Sequence, residues 1–326
     1  MSIVAEFACR LHESSPHSCS TEHVRPAIVQ GRENELFDMR AVIFDVYGTL
    51  VNYWRDAFAS PEGREQSMLA AFGHVITRFE LGEVLTSMNP AAPPERTLFD
   101  FYHGLIELDH AKSRKGGIEW PEVRIEQIWG VLLMMLRRNG YDATLIEGAD
   151  DSDSAKCMAY MYHFHALGRG LYPGVVRALK GLAQQNIKLG IVTNAQFYTP
   201  LDLCFFLRDQ SDGGIVDYLE LFDTDLVFLS SDLGRARPDP LFLRRLYDAL
   251  HQYSILPSQT LFAGNDLRTD IAAAADAGMK TALFCGDSRC TFLHDLAAEV
   301  VPDLVFSSFD ELASLIRFHA SPGDRS

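Results

Sequence analysis

The chain has 326 residues, 47% of them hydrophobic, and a formal net charge of −15. That length supports one large or two smaller domains with a sizeable core, while the acidic balance argues against non-specific nucleic-acid binding, which depends on Lys and Arg at phosphates. No apolar run reaches the about 18 residues of a membrane helix, and the N-terminus lacks the basic start and apolar block of a secretory signal.

Residues 1–38 mix Ser, His, Glu and Pro with little periodicity and read as an N-terminal extension, disordered in part. The first strand is 41–46, a continuous apolar run of the kind buried on both faces. Similar runs follow at 187–193, 225–230, 260–264, 280–285 and 303–308. Helical patterns separate most of them: one starts at Pro173, another at Pro240, and "TDIAAAADAGM" stops at Gly278. This alternation reads as an α/β fold, a parallel sheet with helices on both faces. Residues 56–164 break the pattern with helical periodicity in "ERTLFDFYHGLIELDHA" and "VRIEQIWGVLLMMLRRNG", so a helical insertion follows the first strand.

In an open parallel sheet the ligand crevice lies at the carboxyl ends of the strands. Asp45, Tyr47, Gly48 and Thr49 follow the first strand; Thr193 and Asn194 end the second; Ser230, Ser231 and then Arg237 follow the third; Asn265, Asp266 and Asp270 follow the fourth. Such polarity at one point exceeds what packing needs. Asp45 is placed to act as a carboxylate nucleophile. A phosphoryl substrate would bring negative charge beside it and call for a cation. Mg²⁺ suits oxygen ligands, here Asp45, the Tyr47 carbonyl, and Asp266 or Asp270. Arg237 and Thr193 would hold the transferring oxygens. Gly48 and Thr49 allow a tight turn whose N–H groups would face the substrate.

The segments "FDVYGTL", "GIVTNAQ", "GRARPDP" and "FAGNDLRTD", in this order, resemble the four motifs of the haloacid dehalogenase superfamily of hydrolases. The resemblance spans 41–51 and 165–326. It implies a Rossmann-like core over 39–55 and 165–326 with a helical cap over 56–164. It also implies Asp45 as nucleophile, Thr193 (followed by Asn194) as the second-motif hydroxyl, Arg237 as the third-motif cation, and Asp266 and Asp270 as fourth-motif acids. Gly264-Asn265 stands where the family has Gly-Asp, which leaves open whether Asn265 or Asp266 faces the metal.

Phosphatases of this superfamily mostly carry a second Asp where this chain has Tyr47, and a phenol with a pKa of about 10 is a poor general base. The expected activity is a Mg²⁺-dependent phosphohydrolase acting on a small phosphorylated substrate. The alternatives are a 2-haloacid dehalogenase, whose halide leaves without a proton, or a catalytically weak binding protein of the same fold. Against the dehalogenase, Leu243 stands where that group commonly has Tyr, and Arg237 replaces Lys.

The remaining readings are structural. His163 and His165, two apart on a helix, do not share a face and read as packing residues. Met134, Met135 and Leu136 read as helix core, and "EGADDSDS" as a solvated loop. Arg55, where the cap should begin, is a candidate substrate ligand. The six cysteines form no CxxC pair, so free thiols and a cytoplasmic location are expected. Oligomeric state is not written in the sequence.

Overall fold

The computed structural model describes residues 2–14, 24–31, 36–144, 146–296 and 299–317. Cys19 and residues 15–23 and 32–35 of the expected extension lie outside the described residues. The chain forms two compact units: one of Met1–Cys19, Tyr53–Arg169 and Gln196–Leu201, the other of Ser20–Asn52, Gly170–Ala195 and Asp202–Ser326. No helix among the described residues is long and apolar enough to cross a membrane.

The second unit is built on a six-stranded parallel sheet. Its strands are β1 (Ala41–Phe44), β2 (Lys188–Thr193), β3 (Val227–Leu229), β4 (Thr260–Gly264), β5 (Lys280–Phe284) and β6 (Leu304–Phe306). Their order is β3-β2-β1-β4-β5-β6, so the order reverses beside β1 and makes that point the ligand crevice. Every residue of β1 is fully buried, which requires cover on both faces and explains the uninterrupted apolar run. In register, Ile43 pairs with Gly190 on one side and Phe262 on the other. Ile43, Val192 and Phe262 pack in one cluster with Phe242, Leu246 and Leu250, apolar residues four apart on the helix Pro240–Gln252. The Pro240 helix opens where expected, with the Asp239 carboxylate accepting from the Leu241 N–H.

The first unit is helical: α1 (Ile3–Ser14), α2 (Pro61–Arg78), α3 (Gly82–Met88), α4 (Pro94–Lys115), α5 (Ile125–Arg138) and α6 (Asp151–Ala166). Phe72, Tyr102, Trp129 and Tyr162 form its aromatic centre, with Phe72 and Tyr162 stacked at 4.3 Å between ring centroids. Pairs of this kind add about 0.5–1.5 kcal/mol beyond their area.

Several expectations change here. The extension is not uniformly irregular: α1 buries Val4, Phe7 and Ala8, and Phe7 stacks on Phe79. Residues 25 and 27 make backbone hydrogen bonds to residues 288 and 285. "EGADDSDS" is only partly a loop, because Asp150 caps α6 by accepting from the Asp153 N–H and Asp151–Ser154 form its first turn. Acidic side chains are favoured there by the exposed N–H groups. Of the methionine stripe, Leu136 is buried but Met134 is exposed, since adjacent helical positions face different ways. His163 stacks on Tyr198 and His165 on His74, both as packing residues. The segment after β2 also belongs to the helical unit: the Gln196 amide accepts from the Ile125 N–H and donates to the Val123 carbonyl.

Candidate active site

β1 ends one residue before Asp45, so the parallel sheet delivers this carboxylate to the crevice with almost no solvent contact, 3% exposed. Its Oδ1 accepts from the Thr193 hydroxyl at 3.0 Å and from Arg237 Nη2 at 2.5 Å. Its Oδ2 lies 3.2 Å from the Thr49 hydroxyl, which is also 3.2 Å from Asn265 Oδ1. A hydroxyl carries a single proton, so Asp45 and Asn265 share one donor. Oδ2 is therefore the less encumbered oxygen.

Arg237 joins two acids: Nη1 donates to Asp270 and Nη2 to Asp45. All three side chains are at most 7% exposed. Burial alone would lower the guanidinium pKa, but the attraction of Asp270 and Asp45 outweighs it and leaves Arg237 raised. Burial raises the Asp270 carboxyl against the pull of Arg237. Asn194 brackets the Arg237 backbone, accepting from its N–H at 2.7 Å, so its role is to position Arg237. Arg237 Nε is buried without a hydrogen-bond partner among the described residues.

Two motif glycines are steric necessities. Gly48 has φ +87°, and a Cβ there would lie 2.3 Å from Asn265 Nδ2. A Cβ on Gly264 would lie 2.3 Å from Asp270 Oδ2. That oxygen accepts from the Asn265 and Asp266 N–H groups, each at 3.0 Å, because Leu267–Ala272 form a π-helical turn that brings Asp270 back under the strand end.

The expected substrate contacts of the first turn are corrected. The Gly48 N–H donates to the Val51 carbonyl and the Thr49 N–H to the Val46 carbonyl, so the turn consumes both donors. Tyr47 is half-buried and pairs with Val51 through the backbone. Arg55 belongs to the helical unit, where Nη2 donates to the Leu167 carbonyl at 2.8 Å. Burial and then the neighbouring Arg169 lower its pKa.

The metal expectation meets a donor set that does not fit. The Asp266 carboxylate accepts from the Arg268 and Thr269 N–H groups and contacts His294 Nε2 at 2.9 Å. It caps the turn instead of facing Asp45. Asp270 is taken up by Arg237 and two N–H groups. Asn265, which shares the Thr49 hydroxyl with Asp45, is held by its amide: Nδ2 donates to the Cys290 carbonyl at 2.5 Å. No group of three or more acidic, His or Cys side chains suited to a metal ion occurs among the described residues. That leaves Mg²⁺ one carboxylate already paired with a guanidinium, the Tyr47 carbonyl and a neutral amide, a weaker seat than two carboxylates provide.

Sequence reasoning passed over the supports. The Ser230 hydroxyl accepts from the Ala195 N–H and donates to the Ala195 carbonyl, fixing the loop after β2. Buried Asp287 accepts from Tyr172 at 3.0 Å and from Arg289 at 2.7 Å and 2.8 Å. Together they pin the turn that presents the Cys290 carbonyl. Only the placement of Ser230 at a strand end could have signalled the first; nothing local in "CGDSRC" signals the second.

The family model described as a haloacid dehalogenase-like hydrolase matches residues 39–278. The phosphoglycolate phosphatase of Rhodospirillum rubrum is 27% identical over 213 residues, 63% of this chain and 80% of the relative. Phosphoglycolate phosphatase 1 of Pseudomonas aeruginosa is 27% identical over 276 residues, 84% of this chain and 78% of the relative. Among solved structures, a 2-haloacid dehalogenase from Pseudomonas syringae pv. tomato is 20% identical, covers 85% of this chain and 97% of its own, and has a TM-score of 0.49.

Proposed function

The chain belongs to the haloacid dehalogenase-like hydrolases, and from that premise we propose that it hydrolyses a small-molecule substrate through a covalent ester on Asp45. An Asp45 oxygen attacks the electrophilic centre, and the leaving group departs with the bonding electron pair. Water then cleaves the ester and returns the carboxylate. The observation that carries this reading is the Asp45 carboxylate held at the end of β1 by Thr193, Thr49 and Arg237. Arg237 and Thr193 orient the nucleophile, and the Arg237 guanidinium sets positive charge beside the transferred group.

The phosphoglycolate phosphatase relatives support a phosphate monoester as the substrate class. With Tyr47 two residues beyond the nucleophile, the leaving alkoxide must be a good one or take its proton from another group. A second reading, displacement of halide from carbon, is favoured by Tyr47 and by the neutral Asn265, because halide leaves as a stable anion.

The test is an assay of purified protein with p-nitrophenyl phosphate and with 2-chloropropionate, each with Mg²⁺ and with EDTA, alongside Asp45→Asn. Phosphate release abolished by D45N supports the first reading, and chloride release abolished by D45N the second. Inactivity on both, with no ester trapped on Asp45, overturns the hydrolase proposal.

A further inference from the structure

We infer that the Cys290 carbonyl selects an amide at position 265, and that this chain thereby dispenses with a divalent cation at Asp45, the positive charge there being Arg237. The inference rests on the reading of Asp45 as the nucleophile only for its location. Asn265 is 4% exposed and has a fixed orientation: Nδ2 meets the Cys290 carbonyl at 2.5 Å and Oδ1 meets the Thr49 hydroxyl at 3.2 Å. A carboxylate at 265 would set oxygen against oxygen across the contact that an amide hydrogen now bridges. The opposing carbonyl cannot retreat easily. The Phe292 N–H donates to the Asn265 carbonyl at 2.9 Å, and the Cys290 N–H to the Asp287 carbonyl at 3.0 Å. Asp287 itself is locked by Tyr172 and Arg289. Residues 25 and 27 add backbone bonds to residues 288 and 285.

The charges agree with this. Arg237 lies between the Asp45 and Asp270 carboxyls, with contacts that occupy Asp45 Oδ1 and the whole of Asp270. The nearest further acid, Asp266, is engaged as a cap. A hard cation entering beside Asp45 would have to displace the guanidinium or accept neutral ligands in place of a second carboxylate.

The test is Mn²⁺ titration of the full chain followed by electron paramagnetic resonance, read without turnover. Wild type, Asp45→Asn, Asp45→Ser and Asn265→Asp are compared, the two Asp45 variants guarding against loss of fold in one. Expected is no Mn²⁺ binding in wild type that depends on Asp45 with Kd below about 1 mM. N265D should melt at least about 2 °C lower, from the buried oxygen–oxygen opposition, and should gain no such binding. Binding in wild type tighter than about 1 mM and lost in both Asp45 variants overturns the inference, as does an N265D protein that melts with wild type and takes up Mn²⁺. Because the readout is occupancy, either result is distinct from the fate of the hydrolase proposal, which turns on product release and the trapped ester.

Discussion

Replacing Arg237 with methionine should destabilise the sheet unit severely, and a second substitution should partly repair it. The guanidinium lies between two carboxylates, Asp45 and Asp270, and none of the three side chains is more than 7% exposed. R237M keeps the aliphatic stem and removes the charge, leaving two buried carboxylates without a counter-ion. Removing one partner of a buried pair costs about 3–5 kcal/mol. At roughly 2–4 °C per kcal/mol for a chain of this size, the melting temperature should fall by about 6–20 °C. Asp270→Asn then removes one of the two stranded charges while keeping an acceptor for the Asn265 and Asp266 N–H groups. R237M/D270N should therefore be more stable than R237M by at least about 1 kcal/mol, a non-additivity expected of side chains in contact. Urea melts of wild type, both single variants and the double variant measure it. If the double variant is less stable than R237M, or R237M lies within about 1 kcal/mol of wild type, the guanidinium is not compensating those charges.

Asp266→Ala should cost about 1 kcal/mol, the usual loss of a helix cap, yet leave turnover near wild type; a collapse of activity without loss of stability would return Asp266 to the reaction centre. Tyr47→Asp should raise phosphate-ester turnover by up to about 10²–10⁴-fold if the missing acid limits the rate, and unchanged turnover on p-nitrophenyl phosphate would show that another group protonates the leaving oxygen. His165 is held down to about 4 by burial, then by His74, Arg55 and Arg169. Its unfolded form binds a proton below about 6.5 while the folded form resists, so stability must fall as pH drops from about 6.5 towards 4. His165→Gln should remove roughly 1 kcal/mol of that acid sensitivity once solvent screening is allowed for; melts at pH 7.5 and 4.5 with equal slopes in both proteins would rule the assignment out.

The parallel sheet could be read from the chain because fully buried strands cannot alternate, and the runs at 41–46, 187–193 and 260–264 show that plainly. Each became a strand within two residues of its expected ends. Asp45 and Thr193 were legible for a related reason: a polar residue at the end of such a run has one place to go, the carboxyl end of the sheet, whereas Arg237, well beyond the end of β3, was legible only through its motif. The choice between Asn265 and Asp266 was not legible, because both follow β4 and local chemistry does not separate them. Two long-range facts decide it. A carbonyl 25 residues further on claims the amide of Asn265, and a π-helical turn gives Asp266 two N–H groups to cap and sends Asp270 back to Gly264. Motif spacing counts residues along a regular helix, whereas this turn is wider, and of the two motif acids it is Asp270, not Asp266, that reaches Arg237. Asn194 was legible as a polar residue at a strand end, but its bonds to the Arg237 backbone are long-range and could not be read from the sequence.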